Sequence, residues 1–201
     1  MGCDVAKTVA ALYVQRGGAY WDLPDVDPWD EERDARLYAG PHPVVAHPPC
    51  ARWGRFAETA FGKAIGIRGD DGGCFRAALD AVCKWGGVLE HPEGSAAFAA
   101  HGIPRPARAG WSSAIDGGWV CRVEQGHYGH VCPKPTWLYF NTPENRGVAL
   151  PPDLIWGKSR PSKFVNSPHG SDTFLWIPKL ARSATPPAFR DLLLALARGV
   201  A

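Results

Sequence analysis

Cys50 and Glu90 are the residues of this chain whose types and settings could do covalent chemistry. Cys50 closes the run Val44-Val45-Ala46-His47-Pro48-Pro49-Cys50, a short apolar segment that ends in two prolines and a thiol. Proline fixes its own φ and restricts the residue before it, so Pro48-Pro49 makes a stiff, extended exit. A thiolate held at a fixed angle on such an exit can attack an electrophilic carbon. Glu90 ends a second apolar run, Val88-Leu89-Glu90, and opens into His91-Pro92-Glu93-Gly94. A carboxyl there can hold a ring nitrogen or an amine, and burial is expected to raise its pKa for that task. His47 could lower the pKa of the nearby thiol or serve as a hydrogen-bonded structural histidine.

Both groups need elements to position them. Val44–Ala46 is too short for a helix and is bounded by Gly40-Pro41 and the proline pair, so it reads as a buried strand. Asp70-Asp71-Gly72-Gly73 signals the start of a helix over 74–85, with Phe75, Ala78, Leu79, Val82 and Trp85 at helical spacing. Gly86-Gly87 stops it, and Val88-Leu89 reads as a second buried strand. A right-handed β-loop-α-β unit puts both strands' carboxyl ends on one edge, where open α/β sheets bind ligands. Thiol and carboxyl are therefore expected to share a crevice.

Around this unit, Thr8–Val14 reads as a first strand, followed by the turn Gln15-Arg16-Gly17-Gly18, which could face a ligand. The Asp-rich stretch 20–36 reads as a solvated turn, with a short helix from Trp29 to Leu37. Alternating apolar residues predict strands over 119–125 and 136–140, and residues 141–183 form an irregular, Pro-rich insertion. Thr185-Pro186-Pro187 opens a last helix to Arg198, with the threonine as cap. The pattern predicts one α/β domain over 1–201, Rossmann-like, with a mostly parallel sheet flanked by helices.

Composition sets the limits. With 45% hydrophobic and 21% charged residues, the 201-residue chain can bury one sizeable core. A net charge of +2 neither requires nor excludes nucleic acid. No run approaches the roughly 20 apolar residues of a membrane span. Met1-Gly2-Cys3-Asp4 resembles no signal peptide, and Ala6 stands where myristoylation needs Ser or Thr, so a cytoplasmic location is expected. Six cysteines without a secretion signal predict no disulfide scaffold. Cys121, His127, His130 and Cys132 suit a tetrahedral metal chemically, but their spacing matches no common finger. No metal is expected, and His127 and His130 read instead as residues lining the crevice or binding phosphate.

Pro48-Pro49-Cys50 followed by Leu89-Glu90-His91-Pro92 resembles the cytosine-5 DNA methyltransferase superfamily, with its Pro-Cys loop and, one helix later, its Glu-Asn loop. The block Glu124-Gln125-Gly126-His127-Tyr128-Gly129-His130, with Lys134, Thr136 and Trp137, resembles small phage-encoded members that lack a separate target-recognition domain. Ala184-Thr185-Pro186-Pro187 is similar to the end of those proteins, so the resemblance covers residues 44–140 and 184–198. It implies an S-adenosylmethionine-methyltransferase-like fold in a bacterial or phage-infected cell. Cys50 would add to carbon 6 of a pyrimidine while Glu90 holds the ring, and S-adenosyl-L-methionine would supply a methyl to carbon 5. A base in duplex DNA would have to be flipped out for this.

Carried onto this sequence, the resemblance implies that Gly17 and Gly18 line the cofactor and that Asp27, or else Asp25 or Asp30, holds its ribose. His47, Arg52, Arg55, His91, Gln125, His127, His130 and Lys134 would face the substrate, the arginines on phosphates. The chain departs from the family in three places. The first strand lacks its leading acid and carries Arg16 in the loop, His91 replaces an asparagine, and no Gln-x-Arg-x-Arg signature occurs. These departures leave two alternatives: a covalent enzyme acting on pyrimidine nucleotides or with another one-carbon donor, and a non-catalytic nucleic-acid-binding accessory protein. A partner could supply target recognition.

Overall fold

A computed structural model describes residues 7–59, 66–143, 150–159 and 183–199. Seven strands form one sheet: β1 Val9–Leu12, β2 Val26–Trp29, β3 Val44–Ala46, β4 Gly87–Pro92, β5 Trp111–Ser113, β6 Trp119–Glu124 and β7 Pro135–Asn141. Their spatial order is β2-β1-β3-β4-β7-β6-β5. The first four run parallel, whereas β4–β7, β7–β6 and β6–β5 are antiparallel. The architecture is therefore α/β with a mixed sheet, evenly divided between the two pairings rather than mostly parallel. Among the described residues, no helix is long and apolar enough to cross a membrane.

Helix α1 covers Cys74–Trp85 as its spacing predicts, burying Phe75, Ala78, Leu79, Ala81 and Val82. Asp71 secures its start, accepting hydrogen bonds from the Gly73 and Phe75 amides at 3.0 and 2.9 Å. Helix α2, Ala96–Ala100, is capped by Ser95, whose hydroxyl accepts from the Ala97 amide. Helix α3, Pro187–Arg198, starts with proline in its first turn, but no side chain caps it, so the cap expected of Thr185 is not formed.

Side chains alternate across each strand, so each face of the sheet buries its own set. Ala10, Leu12, Val44, Ala46 and Leu89 pack with α1 and α2 on one face, while Val9, Ala11, Val45 and Val88 pack with α3 on the other. Gly87 lets β3 and β4 meet: its φ is +121°, and a Cβ there would overlap the Val44 backbone.

Three elements differ from expectation. Residues 26–29 form an edge strand rather than a turn, and the helix expected over 29–37 reduces to a single 3-10 turn at Ala35–Leu37. Pro28 is tolerated in β2 because an edge strand has ladder bonds on one side only. Strand β4 continues through His91 and Pro92, which read as a loop, because β7 pairs with it up to Thr136↔Pro92. Within the Pro-rich insertion, 150–159 carries neither helix nor strand, and 144–149 and 160–182 lie outside the described residues.

Candidate active site

Strand register builds the site. Ala46 of β3 pairs with Leu89 of β4, so the next residues along, His47 and Glu90, lie side by side on the α3 face. Beyond them the proline exit carries Cys50 into a cavity of about 770 Å³ whose lining includes His47, Cys50, Glu90, His91 and Lys134. Gly17, Gly18 and Tyr20, from the loop after β1, complete the opposite wall, and Ser183–Thr185 ahead of α3 close one end. The thiol and the carboxyl thus open into the same hollow at the carboxyl edge of the parallel strands.

Glu90 is held on both oxygens. His47 Nδ1 lies 3.0 Å from Oε2, and Gln125 Nε2 donates to Oε1 at 3.2 Å. The Tyr20 hydroxyl lies 2.8 Å from the other ring nitrogen of His47. Burial is the largest influence on the Glu90 carboxyl and works to raise its pKa. The hydrogen bond and charge of His47, with Lys134 and His91, outweigh it and hold the group below the ordinary carboxylate range. The raised pKa expected from burial is therefore corrected to a lowered one.

Cys50 is reached by solvent, yet its surroundings remove enough water to push the thiol up. The negative charge of Glu90 adds to this, and Lys134 works against it. The thiol is thus a weak nucleophile at rest, and its chemistry depends on passing its proton on. His91 Nδ1 meets the Ser95 hydroxyl at 2.6 Å, and burial lowers the imidazole to about 4, so the ring is neutral.

The remaining predicted residues divide. Lys134 lines the cavity and donates to the carbonyls of Ser183 and Ala184. Gln125 is buried behind Glu90 and braces it from the far side of the cavity wall. His130 is also buried, its Nδ1 2.8 Å from the Cys132 carbonyl, and neither it nor His127 lines the cavity. Arg52 is buried too, its guanidinium bonded to the carbonyls of Ile67 and Gly66, so it ties down the loop after the thiol rather than offering charge to a phosphate. For Arg55 the backbone is described, in a 3-10 turn, and its side chain is not. Among the described residues no cluster of three or more His, Cys, Asp or Glu is placed to hold a metal.

A second cavity of about 1010 Å³ adjoins the first, sharing Tyr13, Val14, Gln15 and Pro49 with it. Asp30, Glu31, Glu32 and Asp34 line it with Arg16 and Arg36. Asp30, one residue past β2, is the buried carboxylate of this group. Asp27 lies within β2 and lines neither cavity: its carboxylate is held by Trp29 Nε1 and Arg33 at 2.8 and 2.6 Å. Gly17 and Gly18 line the first cavity rather than this one.

Tyr13, at the junction of the two cavities, carries no sequence signal. Its φ is +60°, uncommon for a bulky residue, and its buried hydroxyl has no partner. Comparison with known protein families, with curated proteins and with solved structures gave no match for this chain.

Proposed function

We propose that this protein is a pyrimidine-modifying methyltransferase acting on carbon 5 of cytosine in DNA, with Cys50 as nucleophile and Glu90 as the ring-holding acid. The observation that carries the reading is the convergence of thiol and carboxyl in one cavity beside a second, acid-lined one. A mixed α/β sheet with both groups at the carboxyl edge of adjacent parallel strands is compatible with a Rossmann-like methyltransferase.

S-adenosyl-L-methionine would supply an electrophilic methyl carried on a sulfonium. The second cavity fits such a group: the buried Asp30 carboxylate can accept from ribose hydroxyls, and the surrounding acids favour a cationic ligand. In the first cavity, sulfur bonds to carbon 6 as the thiol proton leaves and ring nitrogen 3 gains a proton through Glu90. The electron pair of the 5,6 double bond moves to carbon 5, which takes the methyl. Loss of the carbon-5 proton to water re-forms the double bond and expels sulfur, and the nitrogen-3 proton returns to Cys50. One proton is released overall.

The test is covalent trapping. Single-stranded and duplex oligonucleotides carrying 5-fluoro-2′-deoxycytidine, mixed with protein and S-adenosylmethionine, should give an adduct stable to denaturation, because fluorine blocks loss from carbon 5. The adduct should map to Cys50 and vanish in Cys50→Ala. No adduct on either oligonucleotide would overturn the reading for DNA, and an adduct on free 5-fluorodeoxycytidine monophosphate alone would move the substrate to nucleotides.

A further inference from the structure

We propose that His47, locked between Tyr20 and Glu90, is a positioning residue that makes the site select a pyrimidine with a 4-amino group over one with a 4-oxo group. The inference rests on the reading of Cys50 and Glu90 given above and extends it to substrate choice.

Hydrogen-bond directions carry the argument. The Thr136 hydroxyl donates to the Lys134 carbonyl at 3.1 Å, so its oxygen must accept from the Gln125 amide nitrogen 3.0 Å away. That orientation presents the same nitrogen to Glu90 Oε1 as a donor. On the other side, a carboxylate oxygen 3.0 Å away requires the proton on His47 Nδ1, which leaves Nε2 of the neutral ring to accept from Tyr20. Each Glu90 oxygen therefore faces one protein donor, and what it has left to offer the cavity is lone pairs.

A 4-amino group brings hydrogens to those lone pairs. A 4-oxo group brings lone pairs of its own, and like meets like at hydrogen-bond distance in a site closed to most water. Without His47 the buried carboxyl would lose its strongest partner and take up a proton, becoming a donor that tolerates a 4-oxo ring. Sequence position gives His47 this role by register: it is the first residue past the β3–β4 ladder, as Glu90 is on the other strand.

The surroundings hold the relay in place. Tyr20 is buried, and Arg190 of α3 donates to the neighbouring Ala19 carbonyl at 2.9 Å, fixing the loop. The charged or titratable groups that act on the relay are Cys50, His91 and Lys134 around Glu90, and Arg190 and Asp191 of α3 beside Tyr20.

The experiment compares trapping rates on matched oligonucleotides carrying 5-fluoro-2′-deoxycytidine or 5-fluoro-2′-deoxyuridine, with S-adenosylmethionine present. The wild-type protein should prefer the cytosine probe by at least about 100-fold. His47→Leu should cut that ratio by more than about tenfold, and His47→Asn, whose amide nitrogen can stand where Nδ1 stands, should restore most of it. A His47→Leu protein that loses rate on both probes equally, with the ratio unchanged, would overturn the proposal. A carbon-13 NMR titration of the Glu90 carboxyl gives a readout free of substrate: the midpoint should rise in His47→Leu, and an unmoved midpoint would also overturn it. Failure of the wild-type protein to trap either probe sinks the methyltransferase reading instead, so the two failures are distinct.

Discussion

His47 and Glu90 are 43 residues apart in the chain and 3.0 Å apart in the fold. They meet because Ala46 and Leu89 are register partners in adjacent parallel strands and each is followed by a polar residue on the same face. One consequence reaches Cys50. The carboxylate that His47 holds ionised keeps its negative charge facing the thiol, so the nucleophile is harder to deprotonate than it would be alone.

Peptide-resolved alkylation by iodoacetamide, measured across pH, reads that coupling directly. The Cys50 rate should rise through a midpoint above that of an ordinary thiol. Glu90→Gln removes the repelling charge and should move the midpoint down, while Lys134→Ala removes the compensating cation and should move it up. A midpoint that neither variant shifts would show that the cavity does not couple these groups.

His91 links stability to acid. Its imidazole is buried and falls from the ordinary 6.5 to about 4 in the folded protein. Between these values the unfolded chain binds a proton that the folded one does not, so stability falls as pH drops from 6.5 towards 4. The shift corresponds to about 3 kcal/mol. Denaturant melts from pH 7 to 4 should show that loss in the wild-type protein and a flatter dependence in His91→Asn. Parallel curves would contradict it.

Gly87 carries the closest backbone approach in the parallel half of the sheet. With φ at +121° and the Val44 backbone where a Cβ would stand, Gly87→Ala must push β3 from β4. A loss of more than about 3 kcal/mol is expected, because the substitution combines left-handed strain with a clash against backbone. Circular dichroism and urea melts check this, and a variant of near wild-type stability would show that the two strands can part cheaply.

Asp30 decides the cofactor. S-adenosylmethionine at 100 times its dissociation constant should stabilise the wild-type fold by about 2.7 kcal/mol. Asp30→Asn keeps an oxygen for the Arg33 amide but loses the charge at the head of the second cavity, and should abolish most of that gain. Asp27→Asn, which lies outside the cavity, should leave it unchanged. Equal effects from the two would remove Asp30 from the cofactor site.

The reach of sequence reasoning follows the range of the forces involved. A rigid thiol loop, an apolar strand before it, helix α1 and the apolar start of β4 are all local patterns, and each stands where residue types and spacing put it. Strand β2 escaped notice because Asp27-Pro28 reads as a turn until a neighbour supplies its one row of hydrogen bonds. The burial of Arg52 likewise needed Gly66 and Ile67 to fold back over it.

The chain itself dictates which groups can react: one sulfur behind two prolines and one acid behind an apolar strand. Tertiary structure decides their ionisation, because burial alone would raise Glu90 and only the partner brought by register, His47, reverses that direction. It also selects Asp30 over Asp27, since a carboxylate one residue past the end of a strand opens into the cavity whereas one within the strand is taken by its neighbours. Local pattern specifies residues in a strand; only pairing between distant strands specifies which side chains face each other.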